Sequence, residues 1–273
     1  MKFLLIKALL GFGDRLEYLT MCLDFAEQNS LRVIVDWTDP TWKEPFEKYF
    51  SLRCPTATLA DLTDDMTVYP EFWKGKLDVQ LTAELYALNR SDIEMNIPKV
   101  YPADILVLVS GGSRTLCHQY RMLAERCRLI DDRVIKEVRR RQKLYNLEDR
   151  WCIHLRGTDR FQTIKSKQKR FQELFLKVFT RGLLKQQCVV ITDDPELARY
   201  WSARDKSPIL SSLIDTKGQP LHTLATDNKD EMNVNLLIDF FTMACCKQIF
   251  STSLDSRFAK MAERLHPHLS LMF

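Results

Sequence analysis

Between Cys152 and Leu265 short apolar runs alternate with stretches of helical period, and no other feature restricts the possible folds as much. CIHL ends at Leu155, CVVIT spans 188–192 and QIFST spans 248–252. Helical periodicity is read over 168–184, 195–203, 231–244 and 257–265, with shorter strands at 209–212 and 221–225. Strands that alternate with helices are expected to form a parallel sheet covered on both faces, because a parallel connection needs a crossover that a helix supplies. The first half opens the same way. Phe3 to Leu10 is apolar apart from Lys7, Gly11-Phe12-Gly13 makes a turn, a helical stretch follows, and LRVIVDW at 31–37 is a second strand. The predicted architecture is α/β with two Rossmann-like domains, 1–148 and 149–273. The last helix is a candidate to pack back on the first domain. Residues 38–100 read as loops and short helices, ILVLVS at 105–110 as a strand, and 116–145 as a basic helical stretch whose Arg139-Arg140-Arg141 face is expected to be solvated.

Composition excludes more than it selects. Forty Lys and Arg against thirty-six Asp and Glu leave a formal charge of +4, compatible with an anionic ligand and too balanced to call for nucleic acid. Eight cysteines form no C-x-x-C pair and no zinc spacing, which predicts buried free thiols in a reducing, cytoplasmic setting and no metal site. No run approaches the roughly 20 apolar residues that span a bilayer, so no integral membrane segment is expected.

Three strand ends in the second half carry polar clusters: His154 to Asp159, Thr192-Asp193-Asp194 and Ser251-Thr252-Ser253. Right-handed crossovers bring such ends to one edge of a parallel sheet, where α/β proteins bind ligands. Arg156 is the leading candidate, because a guanidinium presents a rigid fork of donors to phosphate oxygens. A salt bridge to Asp159 or Asp193 is the competing explanation. His154, two residues earlier, falls on the same face of an extended segment and is equally suited to a structural hydrogen bond. Asp159 braces the arginine, caps the next segment or acts as a base. Asp194 precedes Pro195 and suits a helix N-cap, while Asp193 is able to read a base edge. Thr252 and Ser253 offer hydroxyls and backbone N–H groups to a phosphate. Gly11 and Gly13 mark close backbone approach without a third glycine to complete a dinucleotide fingerprint.

In order along the chain, G-x-G-[ND]-R-L at 11–16, a VVDW-like strand at 34–37, H-x-R-x-T-D at 154–159, T-D-D-P-E at 192–196 and S-T-S-x-x-S-R at 251–257 resemble the fucosyltransferase superfamily of the GT-B fold. The likeness is nearest to the α1,6-type and nodulation enzymes and more distant to protein O-fucosyltransferases. It implies an inverting, metal-independent transferase that moves fucose from GDP-fucose to a hydroxyl of a glycan or other acceptor. No cofactor is implied beyond that donor substrate. By motif, Arg156 binds the diphosphate, His154 supports the nucleotide sugar, Asp193 reads guanine, Thr252 and Ser253 contact phosphate, and Gly11 to Asp14 close over the donor.

Two departures bear on catalysis. Gly157 stands where family members often carry a second arginine, and Ile164 stands where the α1,6-type enzymes carry a glutamate. The general base is therefore not carried over. Asp14 is the first candidate and Asp159 the second. Another nucleotide sugar, and a noncatalytic nucleotide-sugar-binding protein, remain as alternatives.

Overall fold

The computed structural model describes residues 2–89, 103–109, 120–157, 187–203, 206–212, 228–253 and 256–273, with 169 and 173 as isolated helical positions. The chain divides into two compact units, Met1–Asp131 with Ser270–Phe273, and Asp132–Leu269. This division lies earlier than 148/149, because the helix Asp132–Tyr145 packs on the helix Lys229–Ala244 of the second unit.

In the first unit β1 (Phe3–Lys7), β2 (Arg32–Asp36), β4 (Val68–Tyr69) and β5 (Ile105–Val109) form a parallel sheet in the order β2-β1-β5-β4. Helix α1 (Phe12–Gln28) connects β1 to β2. Every residue of β1 and β5 is buried, as expected of strands covered on both faces. The polar interruption at Lys7 is resolved inside the core. Its Nζ lies 2.5 Å from Asp36 Oδ2, donates to Val79 O at 2.9 Å, and sits 5.4 Å from the centre of the Trp73 ring. Helix α2 spans Ala83–Asn89.

The helical stretch expected over 116–145 is broken. Helix α3 (Tyr120–Arg126) runs into β6 (Cys127–Leu129), and helix α4 (Asp132–Tyr145) follows. The strand pairs antiparallel with β3 (Phe50–Leu52), and its buried, exposed, buried pattern across Cys127, Arg128 and Leu129 is the period of a strand.

The second unit holds β7 (Trp151–Leu155), β8 (Cys188–Thr192) and β9 (Gln248–Ser251), all parallel, in the order β8-β7-β9. Helices α5 (Pro195–Ser202), α6 (Lys229–Ala244) and α7 (Arg257–Leu265) accompany them. Ile153, Leu155, Cys188, Val190, Leu197 and Trp201 pack together as one buried cluster. The predicted strand at 209–212 is a single parallel bridge, Ile209 to Val190, beside β8. The predicted strand at 221–225 and most of the helix at 168–184 lie outside the described residues.

Arg141 corrects the expectation of a solvated arginine face. Its guanidinium is buried and donates to Leu210 O at 2.5 Å, Ser212 Oγ at 2.9 Å and Glu137 Oε1 at 2.8 Å, with Asp239 Oδ1 at 3.3 Å. Arg140 remains on the surface, paired with Glu137. The cysteines among the described residues are free thiols. Among the described residues no helix is long and apolar enough to cross a membrane.

Candidate active site

The order β8-β7-β9 places successive strands on opposite sides of β7, and the point between β7 and β9 is where a parallel sheet opens a crevice at its carboxyl edge. His154, Arg156 and Gly157 come from the end of β7, Asp193 and Asp194 follow β8, and Ser251 to Ser253 end β9. The three clusters singled out in the sequence therefore share one edge. Asp159 lies outside the described residues.

Arg156 is held by both neighbouring strands. Its backbone N–H donates to Thr252 Oγ1 at 2.8 Å, and its Nε lies 3.6 Å from Asp193 Oδ2. With 19% of its side chain exposed, the guanidinium is neither sealed in the core nor loose on the surface. The other Asp193 oxygen accepts the Gly157 N–H at 2.9 Å. This carboxylate, itself buried, faces the turn that carries Arg156, and orienting that turn is the function its contacts describe.

Asp194 is the N-cap of α5, accepting from Glu196 N at 2.8 Å and Leu197 N at 3.2 Å, as its place before Pro195 predicts. It also explains Gly157. A Cβ at residue 157 would stand 2.2 Å from Asp194 Oδ2 and 2.5 Å from Asp194 Cβ. A second arginine after Arg156 has no room beside this aspartate.

His154 is 3% exposed, and burial followed by the nearby Arg156 charge lowers its pKa to about 3. The imidazole is therefore neutral at physiological pH. Its Nδ1 lies 2.9 Å from Ser251 Oγ, the residue directly opposite it in the β7–β9 register. Thr252 completes the seam, with its N–H on His154 O at 2.9 Å. Its hydroxyl turns toward the β7 backbone, so what its contacts describe is a tie between strands. Ser253 is buried and its N–H donates to Ser251 Oγ at 3.2 Å.

The glycine loop belongs to the other unit. Gly11 is the N-cap position of α1 with φ −60° and ψ 160°, a conformation open to any residue, and a Cβ there would meet only Asp14 Oδ2, at an ordinary 3.5 Å. Gly13 is buried and Asp14 half-buried in the first turn of α1. Arg15 fixes this loop. It donates to Leu10 O at 2.7 Å, Ala8 O at 3.1 Å, Asp39 Oδ2 at 2.7 Å and Thr41 Oγ1 at 2.9 Å, with Trp37 and Trp42 rings each 5.5 Å away. Arg15 was not among the site residues expected from sequence, and Ser251, expected at the ligand edge with Thr252 and Ser253, has His154 as its own partner. Each stood inside a motif, and only long-range partners reveal its task. Among the described residues no group of three or more His, Cys, Asp or Glu side chains is placed to hold a metal ion.

Neither a family model nor a curated protein matches the sequence. Solved structures do match. Fucosyltransferase NodZ from Bradyrhizobium superposes with a TM-score of 0.71 over 96% of this chain and 93% of its own, at 14% identity. NodZ, an alpha-1,6-fucosyltransferase, is also known soaked with GDP-fucose and co-crystallised with GDP. A mutant of Arabidopsis thaliana FUT1 in complex with GDP gives a TM-score of 0.57 at 12% identity, covering 97% of this chain and 69% of its own. POFUT1 in complex with GDP gives 0.51 at 11% identity, covering 98% and 95%. The fold expected from the motifs is thus the fold found, and this chain has the α/β GT-B fold seen in NodZ and POFUT1.

Proposed function

We propose that the protein is a glycosyltransferase that moves fucose from GDP-fucose to a hydroxyl of a glycan or another acceptor. The observation that carries this reading is Arg156, a partly exposed guanidinium at the carboxyl end of β7 beside Asp193, in a fold shared with fucosyltransferases. Backbone likeness alone does not select a reaction. An arginine fixed at the strand edge by Thr252 and Asp193 adds a chemistry, recognition of a diphosphate.

In this reading Arg156 pairs with the β-phosphate in the bound donor and more strongly as the glycosyl bond to GDP breaks and negative charge grows on the leaving oxygen. A preorganised donor of this kind is worth about 3–4 kcal/mol, or 10²–10³ in rate. The acceptor hydroxyl attacks C1 of the sugar from the face opposite GDP, which inverts the configuration, and loses its proton to a base. Asp14 and Asp159 are the proposed bases, in that order. His154, neutral, supplies a hydrogen bond to the nucleotide sugar, and Thr252 and Ser253 contact its phosphate. Asp193 has two compatible tasks, steadying Arg156 and reading guanine. No metal enters the proposed scheme. Charge neutralisation falls to Arg156.

Incubation with GDP-fucose and a panel of glycan acceptors, followed by measurement of GDP release, tests the reading. Turnover that disappears in Arg156→Ala while the circular dichroism spectrum is kept is the expected outcome. Full turnover in that variant removes Arg156 from the chemistry, and binding without turnover across the panel identifies a noncatalytic nucleotide-sugar-binding protein.

A further inference from the structure

We propose that Ser251 is a positioning residue that fixes the tautomer of His154, so that the buried imidazole presents Nε2 as a neutral N–H donor. The consequence for ligand binding rests on the donor site proposed above; the tautomer itself does not.

His154 of β7 and Ser251 of β9 are direct partners across parallel strands, and their side chains meet at 2.9 Å between Nδ1 and Oγ. Ser251 Oγ also accepts the Ser253 N–H at 3.2 Å. A hydroxyl that already accepts one hydrogen bond is polarised to donate its own proton, and Nδ1 is the acceptor in reach. The ring also lies 6.0 Å from that of Phe258, which meets Phe240 at 5.2 Å, so the aromatic pair limits rotation of the imidazole. Arg156 is the charged group acting on the ring, and burial and that charge together keep it neutral, with one proton to place. In a neutral imidazole the partner of one nitrogen decides where that proton resides. With Nδ1 accepting from Ser251, the proton is on Nε2.

The chemical consequence is a donor that needs no protonation step. It is uncharged, so it adds a hydrogen bond beside Arg156 without repelling that guanidinium, and it stays a donor across the neutral pH range. Removing Ser251 unpins the proton. Nδ1 then competes for it, and a ring with Nδ1–H offers an acceptor at Nε2 where an anionic ligand needs a donor.

Long-range 1H–15N correlation on protein labelled at histidine tests the inference directly, with the His154 signals identified by their loss in His154→Gln. Wild type is expected to show protonated Nε2 and bare Nδ1. Ser251→Ala is expected to shift the pattern toward Nδ1–H, and Ser251→Thr, which keeps the hydroxyl, to restore it. An Nδ1–H pattern in wild type overturns the proposal without reference to any variant, as does an unchanged pattern in Ser251→Ala. Calorimetric titration with GDP supplies the second reading. Ser251→Ala and His154→Gln should each weaken binding by about tenfold, the worth of one hydrogen bond to a charged group, and the double variant should be no weaker than His154→Gln alone. Additive losses would show that Ser251 acts on the ligand independently of His154. If wild type does not bind GDP at all, the proposed function fails while the tautomer pattern still decides the role of Ser251.

Discussion

Gly157→Ala is expected to destabilise the second unit, and the structure sets the size of the effect. The new Cβ would lie 2.2, 2.5 and 2.7 Å from Asp194 Oδ2, Cβ and Cγ. Rotating the carboxylate away relieves the contact with Oδ2 and Cγ but forfeits the cap on Glu196 N and Leu197 N, a loss of about 1 kcal/mol. Asp194 Cβ cannot rotate away, because it is fixed to the backbone that starts α5, so the turn at 156–157 or the helix must shift, at about 1–3 kcal/mol for an overpacked site. The sum is about 2–4 kcal/mol. With a urea slope of about 2 kcal/mol per molar, the unfolding midpoint falls by about 1–2 M. Urea titration followed by tryptophan fluorescence reports it, since Trp201 of α5 is fully buried. The decisive control is Asp194→Gly, which keeps most of the cap's worth and removes the wall. In that background Gly157→Ala should cost well under half as much. An unchanged midpoint in the single variant, or an equal penalty in both backgrounds, refutes the steric reasoning.

His154 links stability to pH. Its pKa falls from the usual 6.5 to about 3 on folding, so below pH 6.5 the unfolded chain binds a proton that the folded protein refuses, and stability decreases as pH falls. From pH 7 to pH 5 wild type should lose about 2 kcal/mol more than His154→Gln in chemical denaturation; parallel curves would place the ring in water. The comparison with the variant matters because Asp239, raised to about 6 by burial, acts in the opposite direction and loses stability as pH rises toward 6. Arg141→Met should cost about 3–5 kcal/mol, read by thermal melting, because it strands the buried Asp239 carboxylate, and Arg141→Met with Asp239→Leu should recover much of the loss. A loss under 1 kcal/mol in the single variant would place Arg141 at the surface, where sequence had it.

What was legible in the chain was local. Apolar runs at 3–10, 105–110, 151–155 and 188–192 specified strands because buried parallel strands need no alternation, and Asp194 before Pro195 specified a helix start. The three polar strand ends converged because parallel topology leaves them no other edge. What stayed hidden depends on partners far away in sequence. Arg141 falls on the face of α4 that Val134 and Val138 bury, at i+7 and i+3, but that a guanidinium belongs there is explained only by Leu210, Ser212 and Asp239, which are distant in sequence. The strand at Cys127 exists because Phe50–Leu52 pairs with it. Thr252, a phosphate contact by its motif, has a second partner that spacing does not show, because the register of β7 and β9 brings its hydroxyl to Arg156 N. The same register makes Ser251 the neighbour of His154. Gly157, which stands where related motifs often carry a second arginine, is a position that Asp194 leaves without space for a side chain.

In the proposed function the edge around Arg156 binds the diphosphate of a guanosine-linked sugar. Calorimetric titration of wild type and Arg156→Ala with GDP-fucose, GDP-mannose and a UDP-sugar measures it most directly. GDP-fucose is expected to bind in preference to the UDP-sugar, and Arg156→Ala to weaken it by about 10²-fold with the melting temperature unchanged. Equal affinity in wild type and variant, or preference for the UDP-sugar, would contradict it.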